Sequence, residues 1–515
     1  MPNDAKPDDA RPDDARPDDT RPDNTGPPGK PGGPPASFET RHEGRFGGEA
    51  VAWRALAAEL DVADAEGRPR ARIFSFSYLA DPPDIRRPVI FAFNGGPGSA
   101  SLWLHMGVLG PRRVVCPTDA TPAGSGPYAV VDNELCPLER ADIVFIDPPG
   151  TGYSAMAGSY KPQDGWGLEN DAEIVAGFVK AWLSRHQRWS SPRYLVGESY
   201  GTTRAVAVAG KLAGGLAGVA FNGIGLISAI LDFHTARFQP GNPLPDASYL
   251  PTYTATALYH GLIQAPDGNT REARERLLDE ARRFAMMEYL PALVAASRLA
   301  PTERSRIARR LAQLTGLAEP WLQRAHLRIE PGRFRKELLR TRGLTIGRFD
   351  SRYTGRDYDE AGELPDADPS AYGMDSAFVA TANDHLGRVL GIDWPRPYNV
   401  FNRKALENWD WLGPKQEGQI RWPGYVNVAP TLGQLLRENP QLRVWIANGL
   451  YDLATPFHAV ENTIAGNGVD HFAAGGTPGG RVRMTYYEAG HMMYLHTPSL
   501  TALAADLREL VRPAA

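Results

Sequence analysis

The sequence predicts an α/β protein, with a mostly parallel central sheet flanked by helices and interrupted by a large, mostly helical cap insertion. Three observations predict it. Short β-branched and aromatic runs, each followed by a glycine-rich loop or a helix-compatible segment, occur early at Val89 to Phe93, Ile143 to Ile146, Tyr194 to Val196 and Ile224 to Ile227. Two more occur late, at Val444 to Ile446 and Met484 to Tyr487. Between the groups, from about Asp232 to about Pro430, the composition turns to Arg, Glu, Ala and Leu at helical spacing. Uniformly apolar strands that alternate with helices belong in a parallel sheet covered on both faces, which makes the intervening block an insertion over that sheet. The expected layout is a tail at 1–35, sheet core at 36–231, cap at 232–430 and sheet core again at 431–515.

The elements follow in chain order. Residues 6–25 are four pentapeptides of the form basic-Pro-Asp-Asp/Asn-Ala/Thr, continued by a Pro/Gly tract to Pro35. Almost nothing there is apolar, so the segment cannot nucleate a core and reads as a disordered tail. Val51 to Leu56 and Arg72 to Tyr78 flank Glu66-Gly67 and read as antiparallel strands joined at a turn. The uncharged stretch Leu212 to Leu231 approaches membrane-spanning length, but its five glycines and Asn222 make it a helix end, a turn and a buried strand. In the cap, Thr270 to Ser297 and Pro301 to Leu314 have helical spacing, with Leu277, Leu278, Ala281 and Phe284 on one apolar face. Arg304, Arg306, Arg309 and Arg310 read as a solvated helix face rather than a phosphate site.

Length and charge bound the function. A chain of 515 residues, 42% hydrophobic and 23% charged, is ordinary globular material and not a fibre or a wholly disordered protein. The net charge of −4 belongs to the tail, where eight Asp face Lys6, Arg11, Arg16 and Arg21; the remainder balances 52 acidic against 52 basic residues. A neutral body lacks the basic footprint of a nucleic-acid binder. Two cysteines, Cys116 and Cys136, are too few for a disulfide framework or a zinc site, and leave one local bridge or two thiols as alternatives. No apolar run follows the N-terminal charges, so the chain as written reads as cytoplasmic, and as secreted or periplasmic if its true start differs. Nothing suggests a membrane segment or a cofactor, and oligomeric state is not legible.

The sharpest local signal is Gly197-Glu198-Ser199-Tyr200-Gly201, directly after the strand Tyr194 to Val196 and before a helix-compatible run. A serine displayed on a tight strand-to-helix turn needs small residues two before and two after it, because side chains there would collide with strand and helix. Its hydroxyl then needs an imidazole to take the proton and a carboxylate to hold the imidazole's tautomer. Downstream, Asp452 lies just past the strand at Val444 to Ile446, and His491 just past Met484 to Tyr487. His458 and His496 are weaker candidates for the base. Asn94-Gly95-Gly96-Pro97-Gly98 follows the strand Val89 to Phe93 and exposes backbone amides suited to an oxyanion, with the amide of Tyr200 as second donor.

In this order, Asn94-Gly-Gly-Pro-Gly, Phe145-Ile-Asp-Pro-Pro-Gly-Thr-Gly-Tyr-Ser154, Gly197-Glu-Ser-Tyr-Gly, Gly449-x-x-Asp452 and Ala489-Gly-His491-Met492 resemble the serine carboxypeptidases, a family of α/β-hydrolase peptidases, over roughly residues 45–510. The resemblance implies an α/β-hydrolase fold and a triad of Ser199, Asp452 and His491, with Gly96 and Tyr200 as oxyanion donors. It also implies that Asn94 and Glu198 bind the free C-terminal carboxylate of a peptide substrate, which requires Glu198 to be protonated. This sequence departs from the family pattern. Ser99-Ala100-Ser101 stands where Cys-Ser-Ser is typical, and Val108 stands two residues before Gly110-Pro111, where the family has a Glu that supports the carboxylate site. Gly201 and Thr202 follow Tyr200 where many relatives have Ala and Gly, and Met493-Tyr494 replace a frequent Val-Pro. These changes leave the triad and fold intact and bear on exopeptidase specificity and the acidic optimum. The expected function is therefore a serine-type carboxypeptidase acting through an acyl-enzyme. An esterase, acyltransferase or small-peptide hydrolase on the same triad is the alternative, followed by an inactive binding protein. A metallocarboxypeptidase is disfavoured, since no His-Glu-x-x-His occurs.

Overall fold

The computed structural model describes residues 33–213, 218–266, 268, 270–412, 424–472 and 480–512. The pentapeptide repeats and the turn at 214–217 lie outside the described residues. Its main strands are β1 (Ser37–Phe46), β2 (Glu49–Ala63), β3 (Pro69–Asp81), β4 (Val89–Phe93), β5 (Asp142–Ile146), β6 (Arg193–Glu198), β7 (Gly223–Ile227), β8 (Arg443–Gly449) and β9 (Val482–Tyr487). The main helices are α1 (Leu168–Arg185), α2 (Tyr200–Ala213), α3 (Leu244–Tyr259), α4 (Arg271–Phe284), α5 (Pro301–Thr315), α6 (Ala429–Glu438), α7 (Phe457–Gly466) and α8 (Thr497–Leu510).

The strands form one sheet in the order β1-β2-β3-β5-β4-β6-β7-β8-β9. From β5 to β9 all neighbours are parallel, and β1, β2 and β3 join as an antiparallel meander. Sequence pattern explains the division. β2 alternates buried Trp53, Ala55 and Ala57 with more exposed neighbours, as a one-sided strand must, whereas every residue of β4, β5 and β7 is buried. At the β2–β3 turn the Asp64 carboxylate accepts the amides of Glu66 and Arg68. β1 had no counterpart among the expected strands: its apolar positions are few and its outward positions charged, so the alternation was hidden.

Helices α1, α2 and α6 cover one face, burying Ile174, Phe178, Trp182, Val206 and Leu432. Helix α8 and residues 102–109 cover the other, burying Leu102, Leu109, Leu503 and Leu507. The sheet is thus closed on both sides, and its C-terminal edge is where a parallel α/β sheet presents ligands. The cap has its own apolar centre, built from Leu250, Tyr253, Leu277, Leu311 and Leu314. Thr270 caps α4 by accepting the Ala273 amide, and the expected stripe of Leu277, Leu278, Ala281 and Phe284 is buried. In the arginine row, Arg306 meets Glu288 and Glu303, Arg309 approaches Glu319 and Arg310 meets Glu280, while Arg304 donates to the Ala296 carbonyl. Cys116 and Cys136 are unbridged thiols. No described helix is long and apolar enough to cross a membrane.

Candidate active site

Four loops meet at the C-terminal edge of the sheet. After β6 the chain turns sharply at Ser199, whose φ of 59° is unusual for a residue with a side chain, and enters α2 at once. The Ser199 amide donates to the Ile227 carbonyl of the neighbouring strand at 3.0 Å, which pins the turn to the sheet. The flanking glycines are there for space. A Cβ on Gly197 would overlap the carbonyl of Gly201, and one on Gly201 would come within 2.8 Å of the Phe93 carbonyl.

The loop after β4 lies against this turn, so closely that a Cβ on Gly95 would strike the Tyr200 amide. As first residue of α2, Tyr200 has an amide without an intrahelical acceptor, and the Gly96 amide donates to no described residue. Arg204, one turn into α2 and wholly buried, fixes the pair of loops. Its guanidinium meets Asp171 at 2.6 Å, donates to the Asn94 carbonyl at 2.5 Å and lies over the Tyr200 ring. Removing either partner of such a buried pair would strand a charge, at a cost of about 3–5 kcal/mol.

Asp452 and His491 follow β8 and β9. Asp452 Oδ2 lies 2.7 Å from His491 Nδ1, and both residues are buried. The carboxylate also accepts the amides of Ala454 and Thr455 and the Thr455 hydroxyl, so its charge is held by four donors. Burial pulls the His491 pKa down, but the charge and hydrogen bond of Asp452, with a further contribution from Glu198, carry it above its ordinary value. Ser228 ties these loops to the serine turn: it follows Ile227, its hydroxyl donates to the His491 carbonyl at 2.6 Å, and its own carbonyl accepts from Thr455. His458 and His496 do not join the group; His458 pairs with Glu461 and His496 with Ser499.

Glu198, beside the serine, is the other buried carboxyl. Burial raises its pKa to about 7, partly opposed by His491 and the Tyr494 hydroxyl. Oε1 accepts from Tyr494 at 3.3 Å, while Oε2 is buried without a partner among the described residues. Asn94 is buried close by in sequence space to Gly95 and Gly96; its Oδ1 accepts the Leu104 amide, which leaves its NH2 group as the available donor. Val108, which stands where the family pattern has a Glu, is buried in apolar surroundings.

Sequence reasoning missed the supports. Thr455, Ser228, Arg204 and Asp171 carry no motif of their own, although a Thr three residues after Asp452 is a familiar side-chain cap for an Asp-led turn. It also missed that cap residues 348–352 are stitched to the acid and base loops. The Leu453 amide donates to the Arg348 carbonyl at 3.0 Å, the His491 amide to the Phe349 carbonyl at 2.6 Å, and the Gly490 amide to Asp350 at 3.1 Å.

No group of three or more His, Cys, Asp or Glu suited to a metal occurs among the described residues. Residues 64–232 match the family model of the serine carboxypeptidases. The pheromone-processing carboxypeptidase KEX1 of Cryptococcus gattii serotype B is 35% identical over 117 residues, 22% of this chain and 16% of that protein. Serine carboxypeptidase 24 of Arabidopsis thaliana is 28% identical over 152 residues, 29% of this chain and 30% of its own. The chain thus spans less than a third of the length of these curated relatives. Among solved structures, a proline iminopeptidase of Mycobacterium smegmatis overlays 88% of this chain and 97% of its own at 12% identity, with a TM-score of 0.35. That overlay is loose, and the fold rests on the strand order given above. Residues 64–232, which carry the loop after β4, the Asp147 loop and the Ser199 turn, are thus similar to the serine carboxypeptidases, within a chain built on a mostly parallel α/β sheet.

Proposed function

We propose that the protein is a serine-type carboxypeptidase that cleaves the last peptide bond of substrates with a free C-terminus. In this reading Ser199 Oγ attacks the scissile carbonyl as His491 Nε2 takes its proton, with Asp452 holding the other ring nitrogen. The amides of Gly96 and Tyr200 receive the oxyanion. His491 then returns the proton to the departing amino acid, and water, activated by the same imidazole, releases the acyl group from Ser199.

The observation that carries the exopeptidase reading is Glu198: a buried carboxyl next to the nucleophile, with a pKa near 7 and one unpartnered oxygen. Protonated, it would donate to a substrate carboxylate instead of repelling it, and the NH2 group of Asn94, whose Oδ1 is taken by the Leu104 amide, would supply a second donor. The two pH requirements oppose each other. His491 must be neutral to act as base, so turnover rises through a pKa above the ordinary histidine value; terminal-carboxylate binding is lost as pH climbs past about 7. The profile on peptide acids is then bell-shaped, with its alkaline limb at about 7.

Hydrolysis of N-blocked dipeptides with free and with amidated C-termini, alongside simple esters, over about pH 4 to 8 tests the proposal. Release is expected from the free acids and absent in Ser199→Ala. Equal rates on free and amidated ends would leave an esterase or small-peptide hydrolase on the same residues, the reading that Val108 favours.

A further inference from the structure

The Glu198 carboxyl has one hydrogen-bond partner among the described residues, and it comes from an unexpected direction. Tyr494 lies three residues past His491 in the turn Met493–Leu495, fully enclosed, and its hydroxyl reaches Glu198 Oε1 at 3.3 Å. Its ring passes over Gly107 so closely that any Cβ there would enter the ring. The phenol is thus clamped in place while Glu198 Oε2 stays buried and unpaired.

Resting on the carboxypeptidase reading, we propose that Tyr494 is the positioning residue for terminal-carboxylate recognition: by donating to Oε1 it fixes the rotation of the Glu198 carboxyl and turns Oε2, with its proton, toward the substrate's carboxylate. Tyr494, His491 and Asp452 are the titratable groups that face Glu198. Burial, and then the charge of Glu198, hold the Tyr494 phenol well above its usual range, so it remains a donor at every working pH. A pair of acids sharing one proton would titrate twice. A phenol and one acid titrate once, and recognition is lost in a single step as Glu198 ionises.

Tyr494→Phe keeps the ring and removes the donor. KM for N-blocked dipeptide acids should rise about tenfold, the scale of one hydrogen bond to a charged or strongly polar group, with kcat and ester hydrolysis little changed. Loss of a donor that favours the ionised carboxyl should also move the alkaline limb of the KM profile upward. In a Glu198→Gln background the same change should leave that profile unmoved. Equal losses on acids and esters, or an unshifted limb, would overturn the assignment of Tyr494 alone. A wild-type enzyme indifferent to the free terminus would overturn the carboxypeptidase reading and this inference with it.

A second, independent observation concerns the other end of the sheet. β1 is terminal, and among the described residues its strand partner is β2 alone. Its outward positions read Glu39, Arg41, Glu43 and Arg45, and all four are exposed. Such a strand leaves backbone donors and acceptors open to another strand. We infer that the occupant of this edge is a second copy of the chain. An antiparallel pairing centred on His42 sets Glu39 opposite the partner's Arg45 and Arg41 opposite the partner's Glu43, with every opposition repeated by the two-fold axis. On the inner face the same register brings Phe38 toward the partner's Phe46.

Sedimentation velocity of the full chain should give a dimer that weakens with added salt. Glu39→Arg with Glu43→Arg, or Arg41→Glu with Arg45→Glu, should each weaken it at least about tenfold while ester hydrolysis persists, and mixing the two variants should restore it. A monomeric wild type, or reversed variants that still dimerise alone, would overturn the inference.

Discussion

Two buried carboxyls lie at the same edge of the sheet under opposite regimes. Asp452, past β8, accepts four hydrogen bonds of 2.7–3.0 Å from the amides of Ala454 and Thr455, the Thr455 hydroxyl and His491. Glu198, at the end of β6, accepts one of 3.3 Å and, among the described residues, has an oxygen with none. Burial alone favours a neutral carboxyl, and the donors decide whether that tendency is overcome. A saturated carboxylate can steady a cation that forms on the neighbouring imidazole. A starved carboxyl keeps its proton to neutrality and can give a hydrogen bond to an anion. The number of donors built around each group agrees with the role it takes in the proposed function.

The largest test of that contrast is Asp452→Asn, which keeps the shape and removes the charge that His491 leans on. A fall in kcat of about 10⁴ is expected in steady-state ester and peptide assays; a loss no greater than that of Glu198→Gln would erase the distinction. Glu198→Gln comes next, because the amide mimics the protonated carboxyl. KM for peptide acids, which in the wild type should climb about tenfold per pH unit above about 7, is expected to stay flat, with ester rates unchanged. Thr455→Val leaves Asp452 three donors, and should cost about 1 kcal/mol of stability by chemical denaturation and less than about tenfold in kcat. Smallest in its effect on turnover is a control for acid unfolding. Burial depresses the His385 pKa to about 4, so the folded protein refuses a proton that the unfolded chain takes near 6.5. Stability is therefore full above about 6.5 and drains as pH falls toward about 4, a slope in the denaturation midpoint that His385→Gln should flatten.

The sequence made the sheet edge legible because each loop there is constrained twice, by the strand it leaves and by the chemistry it serves. Gly197 and Gly201 could be read as spacers around Ser199, and in the fold each faces a carbonyl that excludes a side chain. The pairing of Asp452 with His491, rather than His458 or His496, agrees with their places after successive strands. The cap was legible only as helices, since Leu277 and Phe284 announce a face but not what it packs against. β1 was hidden because Glu39, Arg41, Glu43 and Arg45 mask its alternation. Arg204 could not be assigned from its neighbours in sequence; its two polar partners, Asp171 and Asn94, are 33 and 110 residues away.

The hydrogen bonds from Leu453 and His491 to Arg348 and Phe349 make the insertion a structural member of the sheet edge and not a door hung over it. The backbone that aims the acid and the base is buttressed by the same strip of insertion, which is further tied by the Ser351 amide to the Tyr451 carbonyl and by Arg352 to the Glu488 carbonyl. If the proposed function holds, a motion that admits a peptide is expected to hinge elsewhere in the insertion and leave 348–352 docked. By the same token, on the proposed function a nick or deletion that frees this strip is expected to abolish ester hydrolysis with Ser199, Asp452 and His491 all present, giving the insertion the standing of an interlock.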